Sequence, residues 1–174
     1  MSFISARKSQ TGKQDQPTLQ SLLDRINQIQ DQLQPVYFNA FRETGYLYTE
    51  TAIPYTGTTL NVGGGMNAET GIFTAPKDGN YFFLFTSLLR SPLQPVRAGN
   101  RNIELRLNGD KILSRSIVST ELAFGTLAVQ TTVNLKKGDT VNAYLISGTI
   151  KEGGAKFTQF TGFLLMPEAP TTKF

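Results

Sequence analysis

The side chains of this chain that could do acid–base or nucleophilic chemistry are carboxylates, hydroxyls and lysines, because its 174 residues include neither histidine nor cysteine. Histidine bases, histidine-containing triads and imidazole metal ligands are thereby excluded, as are thiol nucleophiles, cysteine metal sites and disulfides. Catalysis would need a carboxylate pair, an activated hydroxyl or a lysine. From Val36 onward the carboxylates are Glu43, Glu50, Glu69, Asp78, Glu104, Asp110, Glu121, Asp139, Glu152 and Glu168. No two of them have the spacing that would put a pair on one face of a strand. Each of the three aspartates adjoins a glycine, in Asp78-Gly79, Gly109-Asp110 and Gly138-Asp139. Turn formation accounts for that pattern. The chain therefore reads as a protein without enzymatic activity.

Binding is the chemistry that remains. Arg90, Arg97 and Arg101 belong to a stretch with Ser91, Pro92, Pro95 and Gly99 that reads as a loop. Guanidinium groups pair well with carboxylate or phosphate, so an anionic ligand suits that loop. Lys151 and Lys156 give a second loop the same character, and Tyr46, Tyr48 and Tyr55 offer rings for stacking on sugars. Each candidate has a plainer reading, as solvated charge or as packing. Gly63-Gly64-Gly65 has the composition of a phosphate loop but lacks the following Lys-Ser/Thr and the helix that phosphate binding uses. It reads as a loop between short strands.

The net charge of +4 comes from 17 basic and 13 acidic residues spread along the chain. That mild bias suits a solvated surface and not a nucleic-acid partner. No segment approaches the ~18 apolar residues of a membrane span. The N-terminus has no apolar core of the kind a signal peptide carries. A folded unit of about 140 residues buries roughly two-thirds of its unfolded surface and needs no covalent staple.

The elements that must position these side chains follow from periodicity. Residues 1–16, rich in Ser, Gln and Lys, read as a disordered tail. Within 17–35, Leu19, Leu22, Ile26, Ile29 and Leu33 are spaced 3, 4, 3, 4, the seam of a short coiled-coil helix. Pro17 fits its start and Pro35 its end. The alternative is an amphipathic helix packed on its own domain. From Val36 every signal is β. Tyr81, Phe83 and Phe85 point to one face of a strand and Phe82 and Leu84 to the other. A strand from about Lys156 to Met166 is also apolar on both faces, with Phe157, Phe163 and Leu165 on one and Phe160, Leu164 and Met166 on the other. Strands around Ile103–Leu107, Ile112–Val118 and Leu127–Leu135 are apolar on one face only and read as a solvated outer sheet. Asn108-Gly109 is a two-residue hairpin signal. Many short strands at turn spacing indicate an all-β, two-sheet sandwich over 36–166, with a loose tail at 167–174.

The sequence also resembles the C1q-domain family. The spacing Phe73, five residues, Gly79, Tyr81, Phe83, Phe85 matches the family's aromatic motif, and Asn61 falls at its upstream Asn/Asp position. Thr70-Gly71-Ile72-Phe73-Thr74-Ala75-Pro76 and Phe160-Thr161-Gly162-Phe163-Leu164-Leu165 resemble two further family segments. Tyr55 and Met66 depart from the pattern by apolar exchange. The resemblance implies a tumour-necrosis-factor-like jelly roll, a homotrimer, and an inner sheet at the trimer axis holding the two strands that are apolar on both faces. Tyr81, Phe82, Phe83, Phe85, Phe160 and Phe163 are then trimer interface or core. No Gly-X-Y repeat is present, so the helix would replace a collagen stalk. Some family members hold calcium through aspartates. Asp110 and Asp139 are the candidates here, but without an acidic cluster the reading is no metal and no cofactor. The resemblance also implies secretion and a carbohydrate or protein ligand. Two functions follow: recognition of repetitive ligands such as microbial glycans or clustered receptors, or a structural role as the building block of a matrix, fibre or particle.

Overall fold

The structure, a computed structural model, describes residues 17–90, 99–120 and 124–167. The chain divides into two compact units, residues 1–32 and 33–174. All but the last residue of helix α1 (Leu19–Leu33) falls in the first. Thr18 caps it, its Oγ1 accepting from the Ser21 N–H at 3.2 Å. The expected seam residues Leu19, Leu22, Ile26, Ile29 and Leu33 are all exposed, as is Leu23 beside them. The expected tail at 1–16 lies outside the described residues, as does most of that at 167–174.

Among the described residues the second unit has twelve strands: β1 (Tyr37–Phe41), β2 (Thr51–Ala52), β3 (Gly57–Val62), β4 (Met66–Asn67), β5 (Ile72–Thr74), β6 (Gly79–Arg90), β7 (Gly99–Leu107), β8 (Lys111–Thr120), β9 (Phe124–Leu135), β10 (Thr140–Ser147), β11 (Thr149–Ile150) and β12 (Gln159–Pro167). They form two antiparallel sheets. The first runs β11-β6-β12-β1-β3, with β9 also pairing β6; the second runs β4-β5-β10-β7-β8, with β2 also pairing β10. Between them lies an aromatic core. Phe38, Phe73, Tyr81, Phe83, Phe85 and Phe160 are all fully buried. Phe38 touches both Phe73 and Phe160, with ring centroids 5.1 and 5.0 Å apart. Period-two geometry explains why Tyr81, Phe83 and Phe85 enter this core together while Phe82 and Leu84 leave it.

Two small features hold the core in register. Gly162 is the residue of β12 opposite Phe38 and Phe83. A Cβ there would lie 2.4 Å from Phe38 Cε1 and 2.7 Å from Phe83 Cδ1, so the rings use the space that a side chain would take. Asn61 closes the glycine loop: its Oδ1 accepts from Met66 N–H at 3.1 Å and its Nδ2 donates to Met66 C=O at 2.8 Å. Gly63-Gly64-Gly65 is thus a connection between β3 and β4, as its lack of phosphate-loop neighbours indicates.

Three details differ from the sequence reading. β9, expected in a solvated outer sheet, pairs with β6 along its whole length. Its polar residues lie on the open face of the first sheet, so alternation did not distinguish the sheets. β12 begins at Gln159 and continues through Pro167, and its pairing with β6 shifts between Leu164 and Met166. That irregularity brings Met166 opposite Asn80 and onto the exposed face, away from Phe160, with which it was grouped. The β7–β8 turn has Asn108 and Gly109 at φ 52° and 92°, as the Asn-Gly signal requires. It nevertheless spans Asn108 to Asp110, because Leu107 pairs with Lys111.

Candidate functional site

The first candidate surface is the face of the first sheet that points away from the core. Strand register puts Val62, Tyr37, Phe163, Phe82 and Thr132 in one row across β3, β1, β12, β6 and β9. Leu60, Asn39, Thr161, Leu84 and Gln130 form the next row. The Phe82 and Phe163 rings meet with centroids 5.2 Å apart. Phe163 is 38% exposed, and Leu60, Leu165 and Met166 are exposed further. Beside the aromatic row lies a polar cluster. Asn39 Nδ2 donates to Gln159 Oε1 at 3.1 Å and to Thr161 Oγ1 at 2.8 Å, and Thr59 Oγ1 donates to Asn39 Oδ1 at 2.9 Å. Tyr81, Phe83, Phe85 and Phe160 are core; Phe82 and Phe163 belong to this open face.

The second surface lies at the end of the sandwich where β6 finishes. Arg42, which nothing in the sequence singled out, organises the loop after β1. It is buried, and its Nε donates to Thr44 C=O at 3.1 Å and its Nη groups to Pro54 C=O and Gly45 C=O. Burial lowers its pKa below the usual arginine value. Its guanidinium lies 4.8 Å from the centre of the Tyr46 ring, and Tyr48 meets Tyr46 edge-on at 5.6 Å. Leu47 and Tyr48 project into solvent. The backbone of this loop pairs with β11 through Tyr46 and Ile150.

The sequence-predicted basic residues do not gather there. Arg101, expected on a loop, lies within β7 and is 0% exposed; burial lowers its pKa. A strand residue facing inward is out of reach of a surface ligand. Lys156 Nζ is 3.5 Å from Glu43 Oε1 and 4.0 Å from the centre of the Phe41 ring. Lys151 is exposed nearby. Arg90 ends β6, paired with Thr149 and Phe124, and Arg97 lies outside the described residues. Tyr55, a candidate for sugar stacking, is buried against Phe160 with ring centroids 6.0 Å apart.

The aspartates serve turns at the opposite end of the sandwich. Asp78 accepts from Lys137 N–H at 2.7 Å, and Asp139 accepts from Asn108 Nδ2 at 2.9 Å and from Lys136 N–H at 2.8 Å. Asp110 is exposed in the β7–β8 turn. Among the described residues no three His, Cys, Asp or Glu side chains are grouped as a metal site would require.

The third surface is the outer face of the second sheet. There Glu104 is buried between Arg106 and Arg115, and Arg106 lies over the Tyr144 ring. Glu104 and Arg106 are two apart on one strand, a spacing visible in the sequence. Arg115 joins them only through the β7–β8 register.

Residues 37–165 match the sequence model described as "C1q domain". This chain belongs to the C1q-domain family. A curated relative, Complement C1q tumor necrosis factor-related protein 3 of Mus musculus, is 27% identical over 130 residues, covering 75% of this chain and 51% of the relative. The Homo sapiens protein of the same name matches to the same extent. The chain thus spans about half the length of these relatives. Among solved structures, the globular domain of a zebrafish complement 1qA protein superposes with a TM-score of 0.56 at 18% identity, covering 76% of this chain and 99% of that one. Murine APRIL superposes with a TM-score of 0.58 at 16% identity, covering 75% and 98%. The C1q-domain motif thereby acquires a physical meaning in this chain. Phe73, Tyr81, Phe83 and Phe85 are core, and Asn61 is the loop closure.

Proposed function

We propose that this C1q-domain protein is a non-enzymatic homotrimer that recognises repetitive ligands, such as microbial glycans or clustered receptors, through its surface loops. The observation that supports assembly is the apolar row of Val62, Tyr37, Phe163 and Phe82 on the open face of the first sheet. A sheet face of this character gains by being covered, because removing apolar surface from water is worth about 25 cal/mol per Å². The exposed stripe of α1 is suited to a second, coiled-coil contact between the same three chains. Linking three weak sites in one particle raises avidity by ~10²–10⁴ where the ligand repeats. The Arg42-anchored loop with Leu47 and Tyr48 is the recognition loop with the best-defined geometry.

The absence of histidine and cysteine supports the non-enzymatic reading. Family membership supports secretion, and among the described residues no helix is long and apolar enough to cross a membrane. Sedimentation equilibrium at micromolar concentration is expected to give about three times the 19.1 kDa chain mass. A monomer would refute the assembly. Removal of residues 1–34 is expected to leave a trimer; dissociation would transfer the driving role to α1. The exposed α1 stripe also suits the second reading, a building block of a fibre or particle. A glycan array separates the two: saturable, competable binding supports recognition, whereas no binding together with higher-order assembly in light scattering supports the structural role.

A further inference from the structure

We infer that the outer face of the second sheet carries a binding site for the oxyanion groups of acidic polysaccharides, built from Arg106 and Arg115 around Glu104. The site lies on a sheet face and not on the loops invoked above, and it does not depend on the oligomeric state.

Strand register places Tyr144, Glu104 and Arg115 on one rung of β10, β7 and β8, with Arg106 in the next rung. The Glu104 side chain is 1% exposed. Its Oε2 accepts from Arg106 Nε at 2.7 Å; its Oε1 accepts from Arg115 Nε at 2.7 Å and also from Arg115 Nη2. Both carboxylate oxygens are therefore committed inside the chain. Arg106 is held from a second side, since its guanidinium carbon lies 3.5 Å from the centre of the Tyr144 ring and the Tyr144 hydroxyl donates to Glu50 C=O.

Two positive charges share one negative charge, so the cluster keeps an excess of one. Among the described residues no other carboxylate is in ion-pair contact with either arginine. The Nη groups of Arg106 and Nη1 of Arg115 make no further hydrogen bond to a described residue. The Arg106 side chain is 19% exposed and that of Arg115 45%. A single arginine would suffice to neutralise Glu104. The second arginine leaves a pair of planar donor groups at the surface, already fixed in orientation. Such pre-ordering removes much of the entropy cost of gripping an oxyanion, and guanidinium geometry matches carboxylate and sulfate bidentately.

The surroundings favour a polysaccharide over an acidic polypeptide. Asn100, which is exposed, and Asn102, which is half-buried, continue the outward side of β7. Amides suit sugar hydroxyls as both donors and acceptors. Ile112 and Ile117 lie exposed on either side of Arg115 along β8, where the C–H face of a pyranose ring packs.

The test is calorimetric titration at low ionic strength with four probes: a heparin-derived hexasaccharide, an oligogalacturonate of the same length, a neutral dextran oligosaccharide and a short polyglutamate. Saturable binding of either acidic oligosaccharide, with none to dextran, is expected. Binding of heparin alone assigns sulfate, and binding of both assigns carboxylate and sulfate alike. Arg115→Gln should weaken binding about tenfold or more, the loss of one charge-assisted hydrogen-bonding group. Arg115→Lys should lose nearly as much, because an ammonium lacks the fork. Arg106→Gln should behave likewise. If that variant fails to fold, the two Arg115 variants decide, because Arg115 is nearly half exposed. Lys137→Gln, at the turn end of the sandwich, should bind as the parent does. No binding by the parent, or parent-like binding by both Arg115 variants, overturns the site. Tighter binding of polyglutamate than of both acidic oligosaccharides overturns the polysaccharide assignment.

Discussion

Phe82 on β6 and Phe163 on β12 are cross-strand partners whose rings meet at 5.2 Å on the face of the sheet that points away from the core. Each has a neighbour one residue away that is wholly buried: Phe83 beside Phe82, and Gly162, under the core rings, beside Phe163. The same two strands therefore serve two surfaces, one filled by the domain's own aromatics and one left open. This relationship separates fold from assembly. Substitutions on the inner side should unfold the domain, and substitutions on the outer side should change only what it associates with.

Phe163→Ser tests the outer side. Its ring pairs with Phe82 on the open face and is not part of the buried core, so the folded domain should persist, with far-UV circular dichroism unchanged and the melting temperature within a few degrees of the parent. The sedimenting species should fall from about three chain masses towards one. A variant that remains trimeric at micromolar concentration would remove this face from the assembly.

Tyr55→Phe should leave stability unchanged or raise it. Tyr55 is buried, and among the described residues no group accepts from or donates to its hydroxyl. Burial also drives its pKa well above the usual tyrosine value. An unpaired buried hydroxyl costs ~1–3 kcal/mol, and Phe fills nearly the same volume without it. Urea unfolding should show a midpoint equal to or above that of the parent. A lower midpoint would mean that the hydroxyl has a partner in solution.

What was legible beforehand follows from period two. The alternation of Tyr81, Phe83 and Phe85 with Phe82 and Leu84 could be read directly, and so could the Asn108-Gly109 turn, because both are properties of consecutive residues. The membership of β9 was not legible, since a strand with one polar face fits either sheet when both expose a face. The Met166 placement depended on an irregularity that no local residue type announces. Arg101 follows the loop signals Ser91, Pro92, Pro95 and Gly99 too closely to be separated from them by residue type, yet strand β7 begins two residues before it. The Glu104–Arg115 contact needs the register of a hairpin that itself shifts between Leu105 and Arg106. Site residues on different strands meet only once such shifts are known.

Gly162→Ala should destabilise more than its single methyl suggests. The added Cβ meets two buried rings, Phe38 and Phe83, each of which packs against Phe73 and Phe160. Overpacking a filled core costs about 1–3 kcal/mol, so thermal unfolding should move down by several degrees. Gly64→Ala, where no neighbour lies within 4 Å but φ is +66°, serves as a comparison for backbone strain without crowding. Equal losses in the two variants would show that crowding at Gly162 is relieved by movement of the sheet.

The dependence of stability on pH should be flat near neutrality and steep in acid. Asp78 is held below the ordinary carboxyl range, chiefly by the Lys137 N–H; Asp139 likewise, chiefly by Asn108 Nδ2. Burial alone would raise Glu104, but hydrogen bonds and charge from Arg106 and Arg115 outweigh it and the net direction is down. A carboxyl whose folded pKa is depressed adds stability above its unfolded value, ~3.9 for Asp and ~4.3 for Glu, and that stability is lost as pH falls through the folded value. With no histidine in the chain, no side chain of ordinary pKa titrates between pH ~5 and ~8. Urea midpoints should therefore be level across that interval and decline below pH ~4, and Asp139→Asn should reduce the acid slope. A decline already present between pH ~7 and ~5 would contradict this assignment and point to a carboxyl whose folded pKa is raised.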